Sequence, residues 1–501
     1  MNAATAGAAA APVKRASGTP REARPLREQA ASATPLLGQA PPSPAGPAPD
    51  DGSPERLPPG ITLPRALQTL RFSVRQIELV FRARRQLGEV FRFNGMVDDE
   101  VIVITSHPDH VRSLFTADPE LAPSLTGESP LRPIVGPNSV LTLLGPEHMR
   151  QRKLLLPSFH GGAIERYTAM IAQAAEREID RWPLHDPFAL APAMQAITLD
   201  VIMSGIFGVE GVPREGTPER ALREEIKSAV RLATRQIAQM IELLNINRSE
   251  PIGPVRRLVA ALDRPLYATI AARRAAGDAG ERTDILSLLL AARDEDGKPM
   301  SDQELRDELL TLVLAGHETT ANSLAWTFER LLRTPHAYER LREEVRSDDG
   351  QDAGADYVEA TIHEAMRSRP VIPIIGRRVQ CPWQLGEWRL PAGSSVLMSI
   401  LLLHHRPDVY PDPFAFRPER FLGVKGGRAS NTYTWIPFGG GIRRCLGATL
   451  AMAEQRVVVR AIARRTDMTA ADPAPERARH RNVTMIPARG AQVILNTRTA
   501  A

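Results

Sequence analysis

Phe438-Gly439-Gly440-Gly441-Ile442-Arg443-Arg444-Cys445-Leu446-Gly447 joins three consecutive glycines to a single cysteine, and good helix formers follow from Ala448 to Ala463. Glycine lets a backbone turn tightly where other residues cannot. The cysteine falls where a helix begins, so free amides and the helix dipole favour an anionic sulfur there. One other cysteine exists, Cys381. Two thiols exclude a disulfide framework and any zinc site of three or four thiolates. Chemistry at the sulfur explains a lone cysteine in a glycine-rich loop better than a bridge does, and Cys381 reads as a small half-buried side chain. A thiolate held in this way suits haem iron, to which it donates electron density that promotes cleavage of the dioxygen bond. Arg443, two residues earlier, is placed to reach a carboxylate on the edge of that macrocycle.

Upstream, Ser301 followed by Glu304 is a capping box, which starts a helix predicted to run to about Arg333, before Pro335. Leu305, Leu309, Leu312, Gly316 and Thr319 recur at spacings of three and four, so they share one face. A glycine costs about 1 kcal/mol relative to alanine inside a helix, so Gly316 calls for a reason, and room beside the backbone is the expected one. Within Ala315-Gly316-His317-Glu318-Thr319-Thr320, a hydroxyl lies next to a carboxylate, a pair able to relay protons. His317 points away from the Gly316 and Thr319 face and reads as a structural or surface histidine rather than a ligand. Glu364 and Arg367 are helical neighbours, and Pro418-Glu419-Arg420-Phe421 follows downstream. His148 and Arg152 sit four apart on one side of a helix, and Arg378 follows Gly376 in a strand-like segment.

These segments, in this order, resemble the cytochrome P450 family. The cysteine loop is similar to its haem-binding signature at the Phe438, Gly439, Gly441, Arg443, Cys445 and Gly447 positions. The resemblance covers roughly residues 57 to 500. It implies a mainly α fold with small β-sheets, haem b between the long distal helix and the cysteine loop, and Cys445 as axial iron ligand. It also implies Thr319 and Glu318 as the oxygen-activating pair, and a Glu364, Arg367 and Arg420 network supporting the haem loop. His148, Arg152 and Arg378 become candidates for propionate contacts, beside Arg443 and Phe438. The implied activity is monooxygenation of a lipophilic small molecule of fatty-acid, terpenoid or steroid type, with one oxygen of O2 inserted and the other reduced to water. By family analogy, residues 119 to 140 and 230 to 254 wall the pocket. No flavin, dinucleotide or four-cysteine iron-sulfur pattern is found, so electrons come from a separate ferredoxin or flavodoxin with an NAD(P)H reductase. Such partners are acidic, and Arg444 with Lys153 would steer them. A peroxygenase using hydrogen peroxide, and a non-enzymatic haem sensor or carrier, are the competing readings; the first typically lacks the acid and alcohol pair and the second has no need of Thr319.

The remaining composition agrees. Of 501 residues, 63 are Lys or Arg and 58 are Asp or Glu, a net charge of +5, and only 5% are aromatic. Scattered cations with few stacking platforms do not suggest nucleic acid. The longest apolar runs noted, around Leu309 to Ala315 and Val396 to Leu403, are too short for a membrane span. Residues 1 to 56 hold ten of the 43 prolines and are rich in Ala, Gly and Ser, which predicts a disordered tail before a single catalytic domain over 57 to 501. Arg15, Arg21, Arg24 and Arg27 also give that tail some likeness to an organelle transit peptide, but proline at this density breaks the helix such peptides need. Cytoplasmic residence is expected, with an organelle matrix as the alternative. Leu67 to Leu87 has helical spacing, and Val90 to Phe93 and Val101 to Thr105 read as strands around a turn at Asn94 to Asp99. Helices broken at Pro192, Pro213 and Pro251 follow from about 147 to 346, and strands return after Pro370.

Overall fold

The computed structural model describes residues 40–500 apart from 96–100, 130, 160–161, 210, 234–247, 249, 348–355, 424–432 and 482. The proposed tail up to residue 39, most of the turn after Asn94 and much of the 230 to 254 pocket wall lie outside the described residues.

In chain order the elements are β1 (Ala45–Pro47), α1 (Arg65–Leu87), β2 (Val90–Phe93), β3 (Ile102–Thr105), α2 (Pro108–Thr116), α3 (Arg132–Val135), α4 (Gly145–Leu155) and α5 (Gly162–Ile179). Next come β4 (Pro187–Ala189), α6 (Leu190–Phe207), α7 (Pro218–Ala233), α8 (Gly253–Ala276), α9 (Ile285–Ala291), α10 (Asp302–Leu332), α11 (Pro335–Ser347) and α12 (Asp356–Ser368). The last part holds β5 (Ile374–Arg378), β6 (Trp383–Leu385), β7 (Trp388–Leu390), β8 (Ser395–Ser399), α13 (Ile400–Leu403), α14 (Ala448–Arg465), β9 (Thr466–Ala470), β10 (Ala478–Arg481), β11 (Thr484–Pro487) and β12 (Gln492–Arg498).

The long helix α10 organises the rest. It begins as its capping box dictates: the Glu304 amide donates to Ser301 Oγ at 3.2 Å and the Ser301 amide to Glu304 Oε2 at 2.8 Å. Its C-terminal half packs with α5, α6, α11, α12 and α14 in one apolar core, through Leu324, Phe328 and Leu331. Its N-terminal half joins α6, α8 and α9 in a second, through Leu305, Leu309 and Val313. A helix buried on nearly every side is apolar nearly all round. α6 is the clearest case: 72% of its 18 residues are buried, among them Met194, Ile197 and Ile206. By length and composition α6 could cross a membrane, although Gln195 and Asp200 interrupt its apolar residues as the absence of a long uninterrupted run implies; its side chains are occupied by α5 and α10 instead. Pro192 does not break a helix as expected, because it stands in the first turn of α6, where its missing amide is not needed.

Four small sheets flank the helices. In the largest, of order β2-β3-β8-β5, β3 runs parallel to β8, whereas β2 and β5 pair antiparallel with their neighbours. The expected domain start at residue 57 is too late. β1 pairs antiparallel with β6, Ala45 opposite Leu385, and Ser43 Oγ is 2.9 Å from His110 Nε2. Proline and glycine suit an edge strand, because its outer backbone groups need no ladder partner, so composition alone hid β1.

Candidate active site

The glycine-rich loop folds against the end of α2. A Cβ on Gly440 would lie 2.3 Å from the Phe115 ring, and one on Gly441 would lie 2.3 Å from the Phe115 carbonyl oxygen. Gly441 also has φ +62°, in the left-handed region that favours glycine. The Cys445 amide donates to the Phe438 carbonyl at 3.0 Å, closing the loop just before α14. Phe438 packs edge-on against Trp435, 6.3 Å between ring centres, which anchors the near end of the loop. Cys445 is exposed by area, yet burial is the main influence on its thiol and pushes it above the ordinary value. Both hold for a sulfur on the wall of an internal recess. The Gly447 amide, Arg444 and Arg152 act in the opposite direction and favour the thiolate. Leu446 packs on the same apolar cluster as Leu312 and Leu314 of α10, so that cluster links the cysteine loop to the long helix.

One side of the loop carries a concentration of cations without acids. Arg443 Nη1 donates to the Val140 carbonyl at 3.0 Å, and Arg443 Nη2 to the Leu143 carbonyl. Burial, together with Arg377 and Arg152, holds Arg443 down to about 10. Burial also brings Arg377 down to about 10, and burial with Arg443, Arg152 and Arg377 brings His148 to about 3. His148 Nδ1 is buried with no partner among the described residues. None of Arg152, Arg377 and Arg443 pairs with a carboxylate among the described residues. Depressed basicity and an orphaned ring nitrogen are what two missing anions would relieve.

The expectation for Arg378 is corrected here. Arg378 turns outward and pairs with Glu128 at 3.0 Å, with side chains 32% and 51% exposed. Its neighbour Arg377 is the buried one, 3.2 Å from Ser124 Oγ and over the Phe115 ring at 5.7 Å. Alternation along β5 is a signal that could have distinguished them, had the inward face been known.

Along α10, Ala315 is exposed and Leu312, Gly316 and Thr319 are half-buried within a helix that is otherwise largely buried. Thr319 Oγ1 donates to the Ala315 carbonyl at 2.5 Å. Gly316 has a different reason from the one expected: a Cβ there would lie 2.7 Å from Ile202 Cδ1, so the glycine admits α6. His317 is buried, 2.8 Å from Thr198 Oγ1, and held down to about 4 by burial, Arg481 and Arg223. Glu318 is half-buried. Its Oε1 accepts from Arg481 Nη2 at 2.5 Å and from Thr484 Oγ1 at 3.1 Å, both on the β10–β11 hairpin, which sequence reasoning missed.

Beneath this layer, Glu364, Arg367 and Arg420 meet, all fully buried. Arg367 donates twice to Glu364, at 2.6 and 2.8 Å, and Arg420 Nε lies 3.4 Å from Glu364 Oε1. Arg367 also donates to the carbonyls of His404, Pro413 and Ala415, and Arg420 to those of Pro411 and Asp412. The network therefore pins the chain between α13 and the segment that precedes the cysteine loop.

A thiol at a helix start, a cluster of cations and an apolar face on the long helix together fit what a haem requires: a sulfur ligand, hydrogen-bond donors for two propionates, and a flat apolar wall. Independent comparisons agree with the geometry. The family model described as Cytochrome P450 matches residues 57–495. A Mycobacterium bovis protein designated cytochrome P450 138 is 38% identical over 444 residues, covering 88% of this chain and 97% of its own. A Mycobacterium tuberculosis protein designated cytochrome P450 137 is 36% identical over 449 residues, 87% of this chain and 90% of its own. Among solved structures, a retinoic acid-bound cyanobacterial CYP120A1 superposes with TM-score 0.73 at 24% identity, covering 89% of this chain and 100% of that one. The haem domain of cytochrome P450DA gives 0.74 at 22% identity, with 89% and 98% covered. With a thiol, a cation cluster and a long helix placed as a haem monooxygenase needs them, and with relatives matching along nearly their whole length, this chain belongs to the cytochrome P450 family.

Proposed function

We propose that this enzyme inserts one oxygen atom of O2 into a lipophilic small molecule, with haem b ligated by Cys445 and electrons delivered by a separate acidic ferredoxin or flavodoxin fed by an NAD(P)H reductase. The observation that carries the reading is the Cys445 thiol at the start of α14, open by area yet desolvated, in a loop that packs on the same apolar cluster as Leu312 and Leu314 of α10. Bound haem supplies oxygen activation and electron storage, which no side chain here can provide. Cys445 would hold the iron, N–H groups of Arg443, Arg377, His148 and Arg152 would donate to the propionates, and the Glu364, Arg367 and Arg420 network would keep the loop in place.

Thr319 spends its hydroxyl hydrogen on the Ala315 carbonyl, so its lone pairs point a hydrogen-bond acceptor into the recess. A water or reactant hydroxyl held there can receive a proton through Glu318, whose Oε2 stays outside its bonds to Arg481 and Thr484 and whose side chain is a quarter exposed. An apolar substrate is supported by Leu312, Leu314 and Ile375, apolar side chains that are only partly buried. Arg444 is exposed beside the sulfur and supports docking of an acidic donor. Lys153 contributes less, being paired with Glu295 at 2.6 Å. Two free cysteines suit the reducing cytoplasm.

The test is the reduced carbonyl spectrum of the haem-loaded protein, where thiolate ligation gives a strongly red-shifted band. The parent chain shows it and Cys445→Ser does not. With reductase, ferredoxin and isotopically labelled O2, one labelled atom enters the product. Turnover with peroxide but never with reductant would replace this reading with a peroxygenase.

A further inference from the structure

Residues 136–143, between α3 and α4, form a strap held on two sides. Toward α10, three consecutive residues are each tied to a different side chain. The Asn138 amide and its Nδ2 donate to Asp307 Oδ2 at 3.0 and 2.9 Å. Ser139 Oγ lies 2.7 Å from Thr311 Oγ1, and the Val140 amide donates to Glu308 Oε1 at 2.8 Å. Asp307, Glu308 and Thr311 are all buried. The fit is close: a Cβ on Gly136 would lie 2.2 Å from the Asp307 carboxyl. On the opposite side, the carbonyls of Val140, Leu141 and Leu143 accept from the two terminal nitrogens of Arg443, two residues before Cys445.

We propose that Asp307, Glu308 and Thr311 are positioning residues for Arg443: they seat the strap, and the strap's carbonyls hold the guanidinium at the recess, where it receives a haem propionate. The inference rests on the proposed role of Arg443 toward haem. Two observations favour positioning over general packing. The Arg443 guanidinium has no carboxylate to orient it among the described residues, so the strap's carbonyls are its fixed anchors. Each of the three α10 side chains spends a polar contact on the strap, in a buried place where polar groups are costly unless they are paired. Glu308 Oε2 has no partner among the described residues, and burial, with Asp307 and Glu304 nearby, pushes its carboxyl well above the usual range. Glu308 Oε1 accepts one amide, and Glu308→Gln keeps that acceptor in the same shape.

The experiment is a double-mutant cycle on haem release, followed spectroscopically as haem passes from the loaded protein to excess apomyoglobin. Arg443→Ala removes one charge-assisted bond to a propionate and speeds release by about tenfold or more. Glu308→Ala gives a comparable acceleration, Glu308→Gln stays within about twofold of the parent, and Glu308→Ala in the Arg443→Ala background adds less than about twofold. Full acceleration by Glu308→Ala in that background would show that the acid does not act through Arg443 and would overturn the inference while leaving the role of Arg443 intact. No acceleration by Arg443→Ala would remove both. Should Glu308→Ala fail to load haem, Thr311→Val, which keeps the volume and deletes only the hydroxyl, completes the same cycle.

Discussion

Glu364→Gln changes one atom in a fully buried network, and its cost follows from what that carboxylate holds. Arg367 donates to it at 2.6 and 2.8 Å, Arg420 approaches at 3.4 Å, and the Arg417 amide donates at 2.8 Å. Both guanidiniums and the carboxylate are 0% exposed, so solvent screens none of them. Glutamine retains one acceptor oxygen, but its amide nitrogen then faces guanidinium donors, and two buried cations lose the carboxylate they share. Removing one partner of a buried pair costs about 3–5 kcal/mol, a large share of the roughly 5–15 kcal/mol that holds a typical protein together. A neighbouring control is Glu419, whose pair with Arg340 is 45% and 30% exposed. There Glu419→Gln keeps an acceptor for the Tyr357 hydroxyl, at 2.8 Å, and costs under about 1 kcal/mol. Urea unfolding of the haem-loaded variants, followed by far-ultraviolet circular dichroism and by the haem band, measures both. Equal losses for the two substitutions, or a Glu364→Gln midpoint indistinguishable from the parent, would refute the reasoning.

Thr319→Ala leaves the fold and the carbonyl spectrum unchanged, but lowers the fraction of reductant converted to product by about tenfold or more, the remainder appearing as peroxide; full coupling in the variant would exclude the relay. Arg377→Ala accelerates haem release by about tenfold, whereas Arg378→Ala, which loses only its exposed pair with Glu128, stays within about twofold; transfer to apomyoglobin measures both. Stability should fall in mild acid. His317 titrates near 4 and His404 near 3 in the folded chain, both held down chiefly by burial, against about 6.5 when unfolded. A base with a depressed folded value contributes its stability in full above about 6.5 and loses it as pH falls toward 4 and 3, because the unfolded chain binds the proton first. Thermal midpoints measured from about pH 7 to 4.5 should decline, and His317→Gln should flatten that decline by up to about one proton; an unchanged slope would show that His317 does not contribute.

What could be read from the sequence was what neighbouring residues decide among themselves. The capping box of α10 needs only Ser301 and Glu304, and the helix starts where those two put it. Glu364 and Arg367 are one helical turn apart, so their pairing follows from spacing. Arg420 lies on a separate segment, and only family resemblance linked it to them. The glycines of the cysteine loop were recognisable as a tight turn, but Phe115, the group they make room for, comes from a distant helix. Gly316 was likewise marked as unusual while its cause, Ile202 of α6, was out of reach. Glu318 could be matched with Thr319 because the two are adjacent in sequence; Arg481, which binds the same carboxylate, arrives on a hairpin near the end of the chain.

Arg377 and Arg378 show where such reading must stop. The two residues have the same charge, reach and chemistry, and they stand next to each other on β5, so a strand sends them to opposite faces and only one can enter the recess. No property of either residue says which. The choice is made where β5 is packed: a Cβ on Gly376 would lie 2.4 Å from Leu125 Cδ1 and 2.8 Å from Leu397 Cδ2, so the strand presses against the segment before α3 on one side and β8 on the other. With that contact and the register of Arg377 opposite Val396 fixed, Arg377 turns toward Ser124 and Phe115, and Arg378 toward Glu128. A shift of one residue in the β5–β8 register would exchange the arginines and place an outward cation in the recess without altering composition or motif. The chemistry of this site is thus written in residue types, while its orientation is set by which apolar side chains hold the strand.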